Sequence, residues 1–201
     1  MRSGHIFWPL ALLLAGCGPL VQVGGNAPPP ASLLVISATA TPAADGWTGP
    51  VPVGSTIGVA TPAVPAALQT LRLAVQTSSN EIAYLNGAQW AEQPARQFQR
   101  LLADTLSADG QAVVDNRTGS LPAARQLTGH LRVFTLDVTG TPMVRVRYDA
   151  QLTGPTGNGL VSIRRFDASE PVASQQPAAV AAALNRAANR VAADVASWVK
   201  G

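Results

Sequence analysis

Apolar and polar positions alternate most regularly over residues 143–152. There Val144, Val146, Tyr148, Ala150 and Leu152 interleave with Met143, Arg145, Arg147, Asp149 and Gln151. Such alternation marks a strand with one buried and one open face. The flanking segments extend it into a β-meander over residues 127–168: "LTGHLRVFTLDVTG" turns at Gly140, and "GPTGNG" leads into "LVSIRRFDAS". Upstream, "TIGVATP" predicts a short strand stopped by Pro62 and Pro65. "LRLAVQ" (71–76) predicts another, with Leu71, Leu73 and Val75 on one face. "EIAYLN" (81–86) follows, with Asn86-Gly87 as a turn signal, and "QAVVDN" is a further short strand. "SLLVISATA" (32–40) is expected to be a first strand, ahead of a Pro/Gly-rich loop that carries Trp47.

Two segments change to helical period. Pro94 suits the first turn of a helix and Gly110 its end, and Ala95, Phe98, Leu101, Leu102 and Thr105 fall on one face between them. In "PAAVAAALNRAANRVAADVASWVK", Val180, Leu184, Ala187, Val191, Val195 and Trp198 form an apolar stripe, while Asn185, Arg186, Asn189, Arg190 and Asp194 lie mostly elsewhere. The expected fold is α+β: an antiparallel β-sheet with two main helices packed on one face.

Hydropathy sets the N-terminus apart. Arg2 precedes the apolar run "HIFWPLALLLA", about ten residues long against the roughly 20 that a transmembrane helix needs. A short positive start, an apolar stretch and then small residues make up the pattern of a secretory signal. The run ends in Leu14-Ala15-Gly16-Cys17, which resembles the bacterial lipobox, and Cys17 is the only cysteine of the chain. The resemblance implies a diacylglycerol on the Cys17 thiol, cleavage just before it and acylation of the new amino terminus. Two or three acyl chains give lasting membrane attachment where one gives only a marginal hold. With Gly18 rather than aspartate after the cysteine, the resemblance to sorted lipoproteins implies the periplasmic face of the outer membrane. Residues 1–16 are thus expected to be a lipoprotein signal peptide. Residues 17–54 are expected to be a lipidated start and a flexible Pro/Gly-rich tether, and residues 55–201 the α+β domain.

Composition narrows the function classes. Charged residues make up 12% of the chain and apolar ones 47%, enough for a core. The formal charge is +3, with no basic run or aromatic-interleaved patch of the kind that binds nucleic acid. His5 lies in the signal, which leaves His130 as the lone mature histidine. No G-x-S-x-G nucleophile elbow is present, and "GPTGNG" lies between two strands, where a hairpin rather than a phosphate cradle is expected. Asn116-Arg117-Thr118 reads as loop, and the mature glutamates Glu81, Glu92 and Glu170 are scattered. Neither an enzyme nor a bound cofactor or metal is expected.

The arginines leave two readings. If the "GPTGNG" turn pairs Thr153 with Gly159, Arg145 faces Asp167, Arg147 faces Arg165, and Asp149 lies diagonal to Arg165. The face then either neutralises itself in solvent, or Arg145, Arg147 and Arg165 meet acidic groups on a partner or on lipid headgroups. Tyr84 and Trp90 pose a like choice, between anchoring the first helix and lining an interface.

Taken in order, "IAYLNGAQWAEQPARQFQRLL", the meander, "RRFDASEPV" and "AAVAAALNRAANRVAADVASWV" resemble the ABC-type transport auxiliary lipoproteins. Tyr84, Trp90, Pro94-Ala95 and Arg165-Phe166 carry the resemblance, which spans about Ile57 to Trp198. It implies a non-enzymatic component of a lipid transport system built on mammalian-cell-entry (MCE) domains. Its MCE subunit, permease and ATPase would be separate chains, since no glycine loop ending in Lys-Ser/Thr is present. A homo-oligomer stays open. A lipoprotein activator of a cell-wall synthase and a stand-alone binder of a small hydrophobic ligand are the other two classes.

Overall fold

A computed structural model describes residues 32–41, 50–114, 123–154 and 161–201. In chain order the elements are β1 (Thr56–Val59), β2 (Arg72–Ser78), β3 (Glu81–Gln89), α1 (Pro94–Ala108), β4 (Ala112–Val114), β5 (Arg125–Asp137), β6 (Met143–Thr153), β7 (Val161–Pro171) and α2 (Pro177–Lys200). Cys17, Trp47, Asn116 and the centre of the "GPTGNG" turn lie outside the described residues.

The described strands form one seven-stranded sheet built around β5. Along one edge β5 pairs antiparallel with β6 from Gln126↔Thr153 to Asp137↔Met143, and β6 pairs in turn with β7. Its other edge is shared. The N-terminal part runs parallel to β1 (Ile57↔Arg125) and the C-terminal part parallel to β2 (Val75↔Leu136). β4 adds to β1 in parallel and β3 to β2 antiparallel. The α+β class is as expected, but the sheet is mixed rather than wholly antiparallel. Side-chain alternation reports which face a residue takes and carries no information on strand direction.

Two local expectations are corrected. Residues 32–40 form no strand: Leu34 makes a single bridge to Trp90, and the chain beyond is held by side-chain amides. Asn86-Gly87 is not a hairpin turn. The reversal between β2 and β3 is Ser79-Asn80, while Gly87 (φ 67°) lies inside β3, where five residues of β3 step against two of β2. A left-handed glycine there absorbs the surplus backbone as a bulge.

Both helices cover the same face of the sheet. α1 starts with Pro94 and ends in a Schellman arrangement, with Gln111 N–H on Leu106 O (2.9 Å), Gly110 N–H on Ser107 O (3.0 Å), and Gly110 at φ 86°. It buries Phe98, Leu101, Leu102 and Leu106. α2 buries Val180, Leu184, Val191 and Val195 together with Ala183, Ala187, Ala188 and Ala192, and the small side chains let it lie close against the sheet. Against them the sheet presents Leu127, Leu131, Phe134, Leu136, Val144, Val146, Tyr148 and Phe166. Each large side chain so buried contributes about 1.5–3 kcal/mol. The C-terminal ends of the helices meet where Lys200 Nζ lies 3.0 Å from Asp109 Oδ1.

Candidate docking face of the sheet

The face away from the helices is polar, and its charges are fixed by strand register. Thr153 pairs with Val161 rather than Gly159, a slip of two residues from the expected register. Because side chains repeat every second residue, the slip keeps every arginine on its face and changes every partner. Arg147 therefore faces Asp167, not Arg165, and its Nε lies 2.6 Å from Asp167 Oδ1. Arg165 faces Asp149 and grips it through Nε (2.6 Å to Oδ1) and Nη2 (3.0 Å to Oδ2). Arg145 faces Ser169 and turns instead to Asp137 Oδ2 at 3.0 Å.

A second arginine reaches Asp149: Arg132 Nε lies 3.1 Å from Oδ2. Arg132 lies two residues beyond His130 and so takes the open side by ordinary alternation, just before β5 shifts register between Leu131 and Val133. Leu131 and Phe134 both point into the core, three residues apart instead of two, so the alternation is inverted beyond Arg132 and Val133, Thr135 and Asp137 come to the open side as well. Alternation with His130 across Leu131 was the available signal for Arg132, and the break after it, visible in "HLRVFTL", was the signal for Asp137. Which partner Asp137 meets, at the last position of β5, depends on where the β5–β6 connection places it.

The carboxylates feel these partners. Hydrogen bonds from Arg165 and then Arg132, with their charges, hold Asp149 at about 2 against the opposing pull of partial burial. Asp137 is also lowered, chiefly by the Thr139 hydroxyl (2.6 Å) and backbone N–H (3.0 Å), with Arg145 contributing less. Between Gln76, Ser78, Asp137, Arg145 and Asp167 lies an open polar cleft of about 330 Å³. Arg145, Arg147 and Arg165 thus come together on one surface, each already paired within the chain.

The two aromatic candidates do not join them. Trp90 is 1% exposed and packs on Phe134 with ring centroids 5.6 Å apart, so it is removed as an interface residue. Its bulk is spent anchoring the entry to α1 against the sheet. Tyr84 is half-buried; its hydroxyl donates to Ala67 O (3.4 Å), and the Arg72 guanidinium stacks 4.2 Å above its ring. His130 sits on the open face opposite Asp149. Among the described residues no group of three His, Cys, Asp or Glu side chains is placed to hold a metal ion. No helix among them is long and apolar enough to cross a membrane.

A family model described as the ABC-type transport auxiliary lipoprotein component matches residues 36–196. The chain belongs to this family. The family match opens at Ile36, whose backbone N–H is tied to the α1 side chain of Gln97, so the segment across the helices of this auxiliary lipoprotein lies within the matched range. Among solved structures, a Xanthomonas campestris protein of family DUF330 is 20% identical with a TM-score of 0.69, over 84% of this chain and 94% of that one. A second crystal structure, of an uncharacterized protein, is 17% identical with a TM-score of 0.64, over 84% and 99%. At these identities the likeness shows the fold. No curated protein matches the chain.

Proposed function

We propose that this auxiliary lipoprotein is a lipid-anchored docking adaptor of an MCE-type ABC transport system that moves phospholipids or other hydrophobic molecules between membranes. Acyl chains on Cys17 hold it to the periplasmic face of the outer membrane, and the sheet face engages the MCE-domain subunit, whose permease and ATPase are separate chains. The role is mechanical: the anchor limits where the domain goes, and the folded face decides what it meets.

The observation that carries the adaptor reading is the ordered charge on the open sheet face. Arg145, Arg147 and Arg165 are held in place by Asp137, Asp167 and Asp149 while remaining 48%, 37% and 59% exposed. Side chains ordered before binding lose little freedom when a partner arrives, so such a face discriminates partners at low entropic cost. The clefts bordering it are open and edged with charged groups, unlike the enclosed apolar pocket that a small hydrophobic ligand calls for. The leash also bears on the cell-wall alternative. Docking begins at Leu34, 17 residues after Cys17, and 17 residues span at most roughly 60 Å.

The test is a pull-down of the tagged full-length protein from native membranes solubilised in mild detergent, read by mass spectrometry beside a Cys17→Ala control. Enrichment of an MCE-domain protein with its permease and ATPase, lost in the control, is the expected result. Recovery of a cell-wall synthase, or of no transporter subunit, overturns the proposal.

A further inference from the structure

β7 closes one edge of the sheet: it pairs with β6 on one side and with no described strand on the other. It is eleven residues long and carries two of the large apolar side chains left bare, Ile163 (71% exposed) and Val161 (52%). An edge of that length exposes a row of backbone donors and acceptors that must be hydrated or paired. The geometry points to a second copy of this chain as its occupant, its β7 paired antiparallel about a two-fold axis at Phe166, so that the two sheets continue into one.

Charge register selects that axis. For helices to stay on the same side of the joined sheet, β7 residues must pair with residues of like parity, because facing residues share a face. Centring on Arg165 sets two arginines against each other, and centring on Asp167 sets two aspartates. Centring on Phe166 instead sets Arg165 opposite the second copy's Asp167, twice. Both residues already belong to rows running across their own sheets: Arg132–Asp149–Arg165, and Arg147–Asp167. Joined at this register the rows read Arg132, Asp149, Arg165, then Asp167 and Arg147 of the second copy, alternating in sign throughout. The same register places Ile163 opposite Ser169 and Val161 opposite Pro171 of the second copy. Arg164, whose guanidinium lies 5.3 Å from the centroid of Phe166, then faces the small Ala168 rather than another cation.

The interface is independent of what the open face docks. It is tested in the full chain, in native membranes, with the double variant Ile163→Cys/Ser169→Cys. Both positions are exposed, so the fold is not at risk. Six residues of strand separate them by about 20 Å, which prevents a bond within one chain, and the same distance separates like positions across the axis. Oxidation or a short bis-maleimide linker is expected to give a covalent dimer with the double variant, and none above the parent background with either single variant. Adding Arg165→Gln is expected to lower the dimer yield severalfold. Monomer alone from the double variant, equal cross-linking by a single variant, or a yield indifferent to Arg165→Gln overturns the inference.

Discussion

The side-chain carbonyl of Gln97 accepts a 2.7 Å hydrogen bond from the backbone N–H of Ile36, 61 residues earlier in the chain. Its amide nitrogen donates to the Glu92 carbonyl, also at 2.7 Å, so a glutamine that is 1% exposed is satisfied at both ends. Asn185 and Asn189, four apart on α2, continue the arrangement. Asn185 Oδ1 accepts from Ser37 N–H (2.9 Å), and Asn189 accepts from Thr39 N–H (2.7 Å) while donating to Ser37 O (2.9 Å). Three amides thereby do for residues 36–39 what a neighbouring strand does elsewhere, and they join this N-terminal segment to both helices.

Because Gln97 is buried and Asn189 is not, their loss should differ in kind. Gln97→Ala leaves the Ile36 N–H without its partner in a dry site and is expected to cost about 1–3 kcal/mol in urea unfolding. Asn189→Ala opens the segment locally: hydrogen exchange at Thr39 should speed up while the Ile36 amide, still on Gln97, stays protected. Uniform deprotection of residues 36–39 by Asn189→Ala would mean that the segment opens as one unit.

These contacts show where the chain was legible and where it was not. Elements with their own period, α1, α2 and the β5–β7 meander, could be read because alternate or every-third burial is local information. The segment at 32–40 had the apolar content of a strand, but its partners are amides more than fifty residues away, and no local pattern encodes that. Asn86-Gly87 misled because a left-handed glycine serves a bulge as well as a turn. On the open face the arginines were identified correctly as sharing one side, since parity survives a two-residue slip. Their partners were not, because register is set by the "GPTGNG" connection, whose length in the ladder the sequence does not specify.

The Asp149 cluster makes the protein's stability depend on pH in a defined direction. Its carboxyl is held at about 2 in the folded protein, below the ordinary value near 3.9, so the folded state favours the ionised form. That stabilisation is complete above about pH 4 and is lost as pH falls through about 2. Arg165 and Arg132 are more than half exposed, so screening limits the effect. Asp149→Asn is expected to lower stability at pH 7 by up to about 1 kcal/mol, less at high salt, with the gap to the parent closing toward pH 2. Thermal unfolding across that range checks it; a gap that widens on acidification would refute the assignment.

Gly129 carries the strictest steric demand on the sheet. It sits inside β5 opposite Ala150, at φ 155°, and a Cβ there would collide with the Asp149 carbonyl of β6 and lie 2.8 Å from Tyr148 Cε2. The bare backbone makes room for the Tyr148 ring, which crosses it to donate its hydroxyl to Thr128 O at 2.9 Å and to meet Phe98 edge-on at 5.3 Å. The two residues should respond differently to substitution. Tyr148→Phe keeps the ring and loses one hydrogen bond, at about 1 kcal/mol. Gly129→Ala forces backbone apart within the β5–β6 ladder and is expected to cost about 1–3 kcal/mol by overpacking. Because the Asp149 carbonyl belongs to the ladder and cannot swing away, most of that cost should persist when Tyr148 is also shortened to Leu. Urea unfolding of the single and double variants decides between the two obstacles: a penalty that vanishes in the Tyr148→Leu background would make the ring, not the β6 backbone, the reason that only glycine fits.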